Sequence, residues 1–119
     1  KFLKKKKYKG IKYEIIPDPT GNKIFRLRIL IDKKLSNFTV FSLVYHLEKN
    51  NPAIFVRDDL IHLNHFELDT CNLKKGDKEI ITKEMNKIIL KLLSNKIKKN
   101  IDLKLYKKLS LNNWENWLN

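Results

Sequence analysis

The chain has 119 residues, 42% of them hydrophobic, a formal net charge of +13 and one cysteine. That length is one domain with room for a real core, and the apolar content excludes a disordered tail. A lone cysteine excludes an internal disulfide or a cysteine-built zinc site and suits a reducing cytoplasm, and no apolar run approaches the ~20 residues of a membrane-spanning helix.

The charge has a particular make-up. Of the 26 basic residues, 23 are lysines and three are arginines: Arg26, Arg28 and Arg57. Lysine serves wherever a solvated cation suffices, so much of the excess reads as a solvated surface, with a nucleic-acid footprint as the lesser reading. The arginines carry more information. A planar two-pronged guanidinium grips a carboxylate or phosphate in a way that lysine does not. Two readings stand for them, contacts to a bound anion or ion pairs inside the fold.

In chain order, Lys1 to Lys9 is a charge run, a linker or a solvated end. It is not followed by the apolar stretch of a signal peptide. Ile11 to Ile16 alternates, with Ile11, Tyr13 and Ile15 on one side and Lys12 and Glu14 on the other, as in a half-buried strand. Pro17 to Asn22 is turn chemistry. Ile24 to Ile31 alternates again, Phe25, Leu27, Ile29 and Ile31 against Arg26 and Arg28, which completes a hairpin. Thr39 caps a helix over Val40 to Lys49 with Val40, Leu43, Val44 and Leu47 as its apolar stripe, and Asn50-Asn51-Pro52 ends it. Ala53 to Val56 reads as a short apolar strand, and Leu60 to Leu68 as its hairpin partner. Asp77 is placed to cap a long helix from Lys78 to about Lys96. Ile81, Met85, Ile88 and Leu92 form its buried face, widened by Ile80, Ile89 and Leu93. Asn100 to Asn119, with Tyr106, Trp114 and Trp117, is apolar enough to dock on the domain or on a partner.

The order β-β-α-β-β-α implies an α+β fold, an antiparallel sheet of about four strands with helices on one face. The chain divides into a basic linker (residues 1–10), the domain proper (residues 11–98) and a C-terminal tail (residues 99–119). Gly10, Gly21 and Gly76 stand alone and form no phosphate loop. His62 and His65 lie three apart on an expected strand, face opposite sides and make no metal site. They are read as hydrogen-bonding groups of the sheet. Cys71 sits in a lysine-bearing loop and is read as incidental rather than nucleophilic. Asp58 and Asp59 are read as turn residues rather than an acid/base pair. No catalytic residue and no metal ligand is assigned.

The run Asn51-Pro52-Ala53-Ile54-Phe55-Val56-Arg57-Asp58 resembles a segment of the selenocysteine synthase-like pyridoxal-phosphate enzymes, where (D/N)-P-(P/A)-I-(Y/F)-x-R-(D/N) leads into the later strands of the small C-terminal domain. Ile16-Pro17-Asp18 through Phe25-Arg26-Leu27-Arg28-Ile29 resembles that group's opening hairpin. Asn64 to Asp69 resembles its next strand, and Lys75-Gly76-Asp77-Lys78-Glu79-Ile80-Ile81 resembles its PGDEEII approach to the last long helix. Four pieces in order cover about Ile11 to Leu93. The Arg-Pro pair that often follows the strand is replaced by Thr70-Cys71-Asn72. The form Phe-Val-Arg-Asp looks closest to the branch of sugar-amine lyases such as the D-glucosaminate-6-phosphate ammonia-lyases.

The resemblance implies the small domain of a lyase or transferase acting on an amino acid or amino-sugar phosphate. Such a domain closes one wall of the cleft and is not catalytic alone. Pyridoxal 5'-phosphate would belong to the full-length enzyme, held by a large domain that would be this domain's partner, and none is expected on this chain by itself. A homo-oligomeric parent is implied too. Arg57 matches the position that contacts a substrate anion, with Arg28 and Arg26 as weaker candidates. Apolar surface turned toward the large domain would make the isolated chain prone to associate. The rival from another class is a free-standing basic module that binds RNA through its sheet, though the aromatic signature of such sheets is missing.

Overall fold

The computed structural model describes residues 8–17, 25–69 and 74–118, with the side chains of Phe25 and residues 113–118 outside that description. The first seven residues of the basic run, the tip of the opening hairpin and Cys71 therefore lie outside the described residues, as do the side chains of Trp114 and Trp117.

The alternating segments form strands β1 (Ile11–Pro17) and β2 (Phe25–Ile31), paired antiparallel from Ile11↔Ile31 to Pro17↔Phe25. A third strand, β3 (His65–Asp69), pairs antiparallel with β2, giving the order β1-β2-β3. Period two puts Leu27, Ile29 and Ile31 on one face of β2, and register adds Phe66 and Leu68 of β3; all five are buried. Ile15 shares that parity but is 60% exposed, near the end of the hairpin.

The chain leaves β2 through a single-turn helix, α1 (Lys33–Ser36), which the sequence reading does not contain. Asp32 caps it by accepting the N–H of Lys34, and Asn37 closes it in the left-handed region at φ 68°. Helix α1 lies directly over Gly10. There φ is +84°, and a Cβ would stand 2.6 Å from the Ser36 amide nitrogen, so only glycine fits.

Helix α2 (Val40–Lys49) is capped by Thr39 as the sequence predicts. Its stripe is the centre of the core: Leu43, Val44 and Leu47 have no exposed surface and Val40 is buried. Each fully buried side chain of this size stabilises the fold by about 1.5–3 kcal/mol. Helix α3 (Asp77–Leu93) buries Met85, Ile88, Ile89 and Leu92. Ile80 and Leu93 do not widen that face and are 49% and 44% exposed. Its N-cap is Gly76 at φ +92°, one residue before the expected Asp77. The Asp77 carboxylate instead accepts the amide of Lys74 at 2.7 Å and secures the preceding turn.

The tail becomes helix α4 (Leu103–Leu118), and α2 packs against both α3 and α4. The link between α3 and α4 is tied to the start of α2. Thr39 Oγ1 donates to the Ile101 carbonyl at 2.6 Å, and the Ile101 amide donates to Ser42 Oγ at 2.9 Å. The result is α+β, an antiparallel sheet with its apolar face turned to a helical core. The sheet has three strands rather than about four. Residues 53–56 run without a ladder, and the expected hairpin is reduced to one antiparallel bridge, Arg57↔Glu67. A 3-10 turn at Ile61–Leu63 occupies what the alternation suggested was the first half of the second strand.

Candidate functional site

The outer face of the sheet carries what the inner face excludes. Register sets Arg28 opposite Glu67 and Arg26 opposite Asp69. The bridge then sets Arg57 on the far side of Glu67, where each backbone amide donates to the other's carbonyl at 2.9 and 3.0 Å. The three arginines of the sequence are thus brought to one surface, on two elements more than 25 residues apart in the chain.

Their surroundings differ. Glu67 is only 8% exposed, and a carboxylate that far from water needs charged donors. Arg28 supplies two, Nε at 3.3 Å and Nη2 at 3.1 Å, both to Oε2. Arg26 Nη1 reaches Oε1 at 3.4 Å, and its Nε stands 3.9 Å from Asp69. Arg26 and Arg28 therefore act as the clamp on Glu67. Arg57 is the most exposed, its side chain 44% accessible, and among the described residues its guanidinium has one hydrogen-bond partner, Asp69 at 3.3 Å. A guanidinium has five N–H donors. Arg57 is thus the most accessible guanidinium of the three, mounted on a backbone held at both its amide and its carbonyl.

Residue 58 points the other way. The Asp58 carboxylate lies 2.5 Å from the phenol oxygen of Tyr106 on α4. The same phenol lies 2.8 Å from Glu48 Oε1, and Ser110 donates to Glu48 Oε2 at 2.7 Å. Burial, with the two carboxylates beside it, pushes the Tyr106 hydroxyl far above its ordinary range. This polar seam between α2, α4 and the bridge segment was not legible from residue order. Its single trace is Glu48, an acid next to the apolar stripe of α2. Asp59 is exposed in the turn, as a turn residue should be.

His62 lies in the 3-10 turn and is exposed, so the two histidines do not share a strand. His65 opens β3, is 7% exposed, and its Nδ1 has no hydrogen-bond partner among the described residues, contrary to the expected role in the sheet. Among the described residues no group of three metal-ligating side chains comes together, and no helix is long and apolar enough to cross a membrane.

Pyridoxal phosphate requires a lysine amine sheltered from water and a set of donors around its phosphate. None of the described lysines is buried. The described residues do not make a seat for that group, and no step of its chemistry is assigned to this chain.

No family description matches the chain, and no curated protein matches it. Among solved structures, the chain is similar to D-glucosaminate-6-phosphate ammonia-lyase, with 22% identity and a TM-score of 0.62 over 70% of this chain. The match spans 22% of the length of that protein. Fold and chain order are therefore shared with one part of a much longer enzyme.

Proposed function

We propose that this chain is the small, cleft-closing domain of a pyridoxal-phosphate-dependent lyase or transferase that acts on an amino acid or amino-sugar phosphate. In this reading it has no activity alone. It works against a large domain that carries the cofactor, in a parent enzyme that is a homo-oligomer of the cytoplasm. The basic start is the linker from that domain, and the tail from residue 99 packs onto the small domain. One observation carries the reading: the fold shared with a portion of D-glucosaminate-6-phosphate ammonia-lyase, in a chain whose residues 51–58 already resemble that group.

Arg57 is the substrate-anion contact in this proposal. Its side chain is the most accessible of the three, whereas Arg26 and Arg28 are less exposed, pair with the nearly buried Glu67 and shape the surface around it. The carboxylates matter as much as the arginines. Asp69 holds Arg57 from one side and sets the direction of its fork, so less side-chain entropy is lost when an anion arrives.

The test is made in the polypeptide that includes the large domain, loaded with cofactor. Arg57→Ala is expected to raise KM for the anionic substrate about 10- to 100-fold, with cofactor absorbance unchanged and a stability loss of less than about 1 kcal/mol. An unchanged KM would remove Arg57 from the substrate site. The RNA-binding alternative draws on the +13 charge. The outer-face positions of the three strands are Lys12, Glu14, Ile16, Arg26, Arg28, Leu30, His65, Glu67 and Asp69. They include no phenylalanine, tyrosine or tryptophan on which a base would stack.

A further inference from the structure

At the Ile11/Ile31 end of β1 and β2, where Leu30 is the next outer-face position after Arg28, lies an open groove of about 830 Å³. Leu30, Leu35 and Leu63 provide its apolar lining, with Leu35 50% and Leu63 54% exposed. Lys12, Lys33 and Lys34 stand around it. None of the three forms an ion pair among the described residues. The one acid of the lining, Asp32, is engaged in capping α1. What sets these leucines apart from the chain's other exposed apolar side chains is that they gather in one concave place, as contact surfaces do.

The groove is preformed. Asp32 donates its amide to the Gly10 carbonyl at 2.8 Å, Ser36 Oγ bonds the carbonyls of Asp32 and Phe38, and Gly10 admits α1 where a side chain would not. A rigid concave surface binds without an ordering cost.

We infer that this groove is the docking surface for an acidic, leucine-bearing polypeptide segment, and that the segment belongs to the large domain. The assignment of the segment rests on the proposed function; the chemistry of the groove does not. Charge selects the occupant. The chain's own first seven residues contain five lysines, the same charge that the rim carries. A second copy brings another +13, twice as many basic as acidic residues, and so a net repulsion. Nucleic acid offers phosphates but nothing to fill a leucine floor. A bilayer is flat where this surface is concave. A segment with leucines to bury and carboxylates to flank them meets both requirements.

The probe is a synthetic amphipathic peptide with leucines on one face and glutamates beside them, added to the 119-residue chain. The expected result is shifted NMR signals of Leu35 and Leu63, and an affinity that falls at least tenfold in Lys12→Glu/Lys33→Glu/Lys34→Glu. The same triple variant is expected to bind a matching peptide with lysines in place of glutamates. Because the three side chains are exposed, circular dichroism should show the variant folded. Peptide binding that is indifferent to the reversal would overturn the inference. So would RNA or anionic phosphatidylserine vesicles shifting Leu35 and Leu63 while the peptide does not. The outcome is separable from the fate of the proposed function, which is read by KM in Arg57→Ala.

Discussion

Tyr106, the third residue after Leu103 opens the last helix, places its phenol oxygen 2.5 Å from the Asp58 carboxylate and 2.8 Å from that of Glu48. Burial leaves 3% of Tyr106 exposed, so these contacts are made away from water. Removing the hydroxyl in Tyr106→Phe keeps the ring against Phe41, whose centroid is 5.8 Å away, and takes the donor from the two acids. The expected loss is about 1–3 kcal/mol of stability, read as a lower urea midpoint with an unchanged slope. A midpoint equal to the parent's would mean that α4 is held by apolar contacts alone.

The clamp on Glu67 predicts an asymmetry. Glu67→Ala leaves Arg26 and Arg28 facing each other across the space where their shared partner stood, and is expected to cost about 2 kcal/mol. Arg57→Ala removes a more exposed pair and is expected to cost less than about 1 kcal/mol. Thermal unfolding of the two variants side by side checks the order; equal losses would contradict it.

Helix α3 sets Leu92, with no exposed surface, next to Leu93, 44% exposed. Leu92→Ala is expected to lose about 2–5 kcal/mol. Leu93→Ala is expected to stay within about 0.5 kcal/mol of the parent. Chemical denaturation distinguishes the two at once, and a costly Leu93→Ala would place that side chain in an interface of the free chain.

At alkaline pH the tyrosines weaken the fold. Burial, helped by the neighbouring Tyr8, pushes Tyr13 from 10.0 up to about 12. The fold therefore holds the phenol neutral while the unfolded chain ionises near 10.0. Tyr13's contribution is complete below pH 10.0 and is lost as pH rises from 10.0 toward about 12. In Tyr13→Phe, midpoints measured stepwise across that window should decline less than in the parent. Tyr106 acts in the same direction, so some decline remains.

Acid acts through His46. Its Nε2 sits 2.9 Å from the Lys98 carbonyl, and burial lowers its pKa below 6.5, only partly opposed by that hydrogen bond. Lys49 and Lys91 lower it further. The neutral ring's contribution is whole above pH 6.5 and is lost as pH falls below it. An NMR titration of the ring should give a midpoint under 6.5. His46→Gln should lose less stability than the parent as pH falls below 6.5.

The elements with a strong period were legible in the residues. Ile11 to Ile31 reads as a hairpin because side chains alternate, and α2 reads as a helix because Leu43, Val44 and Leu47 recur on one face behind a threonine cap. The segment from Ala53 to Leu68 misled for a physical reason. Four apolar residues in a row look like a buried strand, yet here they carry no ladder, only Ile54 of the four is buried, and the segment meets the sheet at the next residue, Arg57. Asn64, at φ 68°, ends the 3-10 turn just before β3, and nothing in an alternating run announces a left-handed residue. The arginines were legible as rare residues in a lysine-rich chain. Their partners were not, since the pairing of Arg28 with Glu67 depends on register across 39 residues. Tyr106, Glu48 and Asp58 meet only after α4 folds back onto α2, and no local pattern encodes that.

The bridge at Arg57 stands at a boundary. Residues 57 and 58 are joined by one peptide bond, yet one faces the charged surface and the other holds the last helix. The charged outer face and the seat of the C-terminal helix are therefore neighbours along the backbone, one on each side of the Arg57–Asp58 peptide bond.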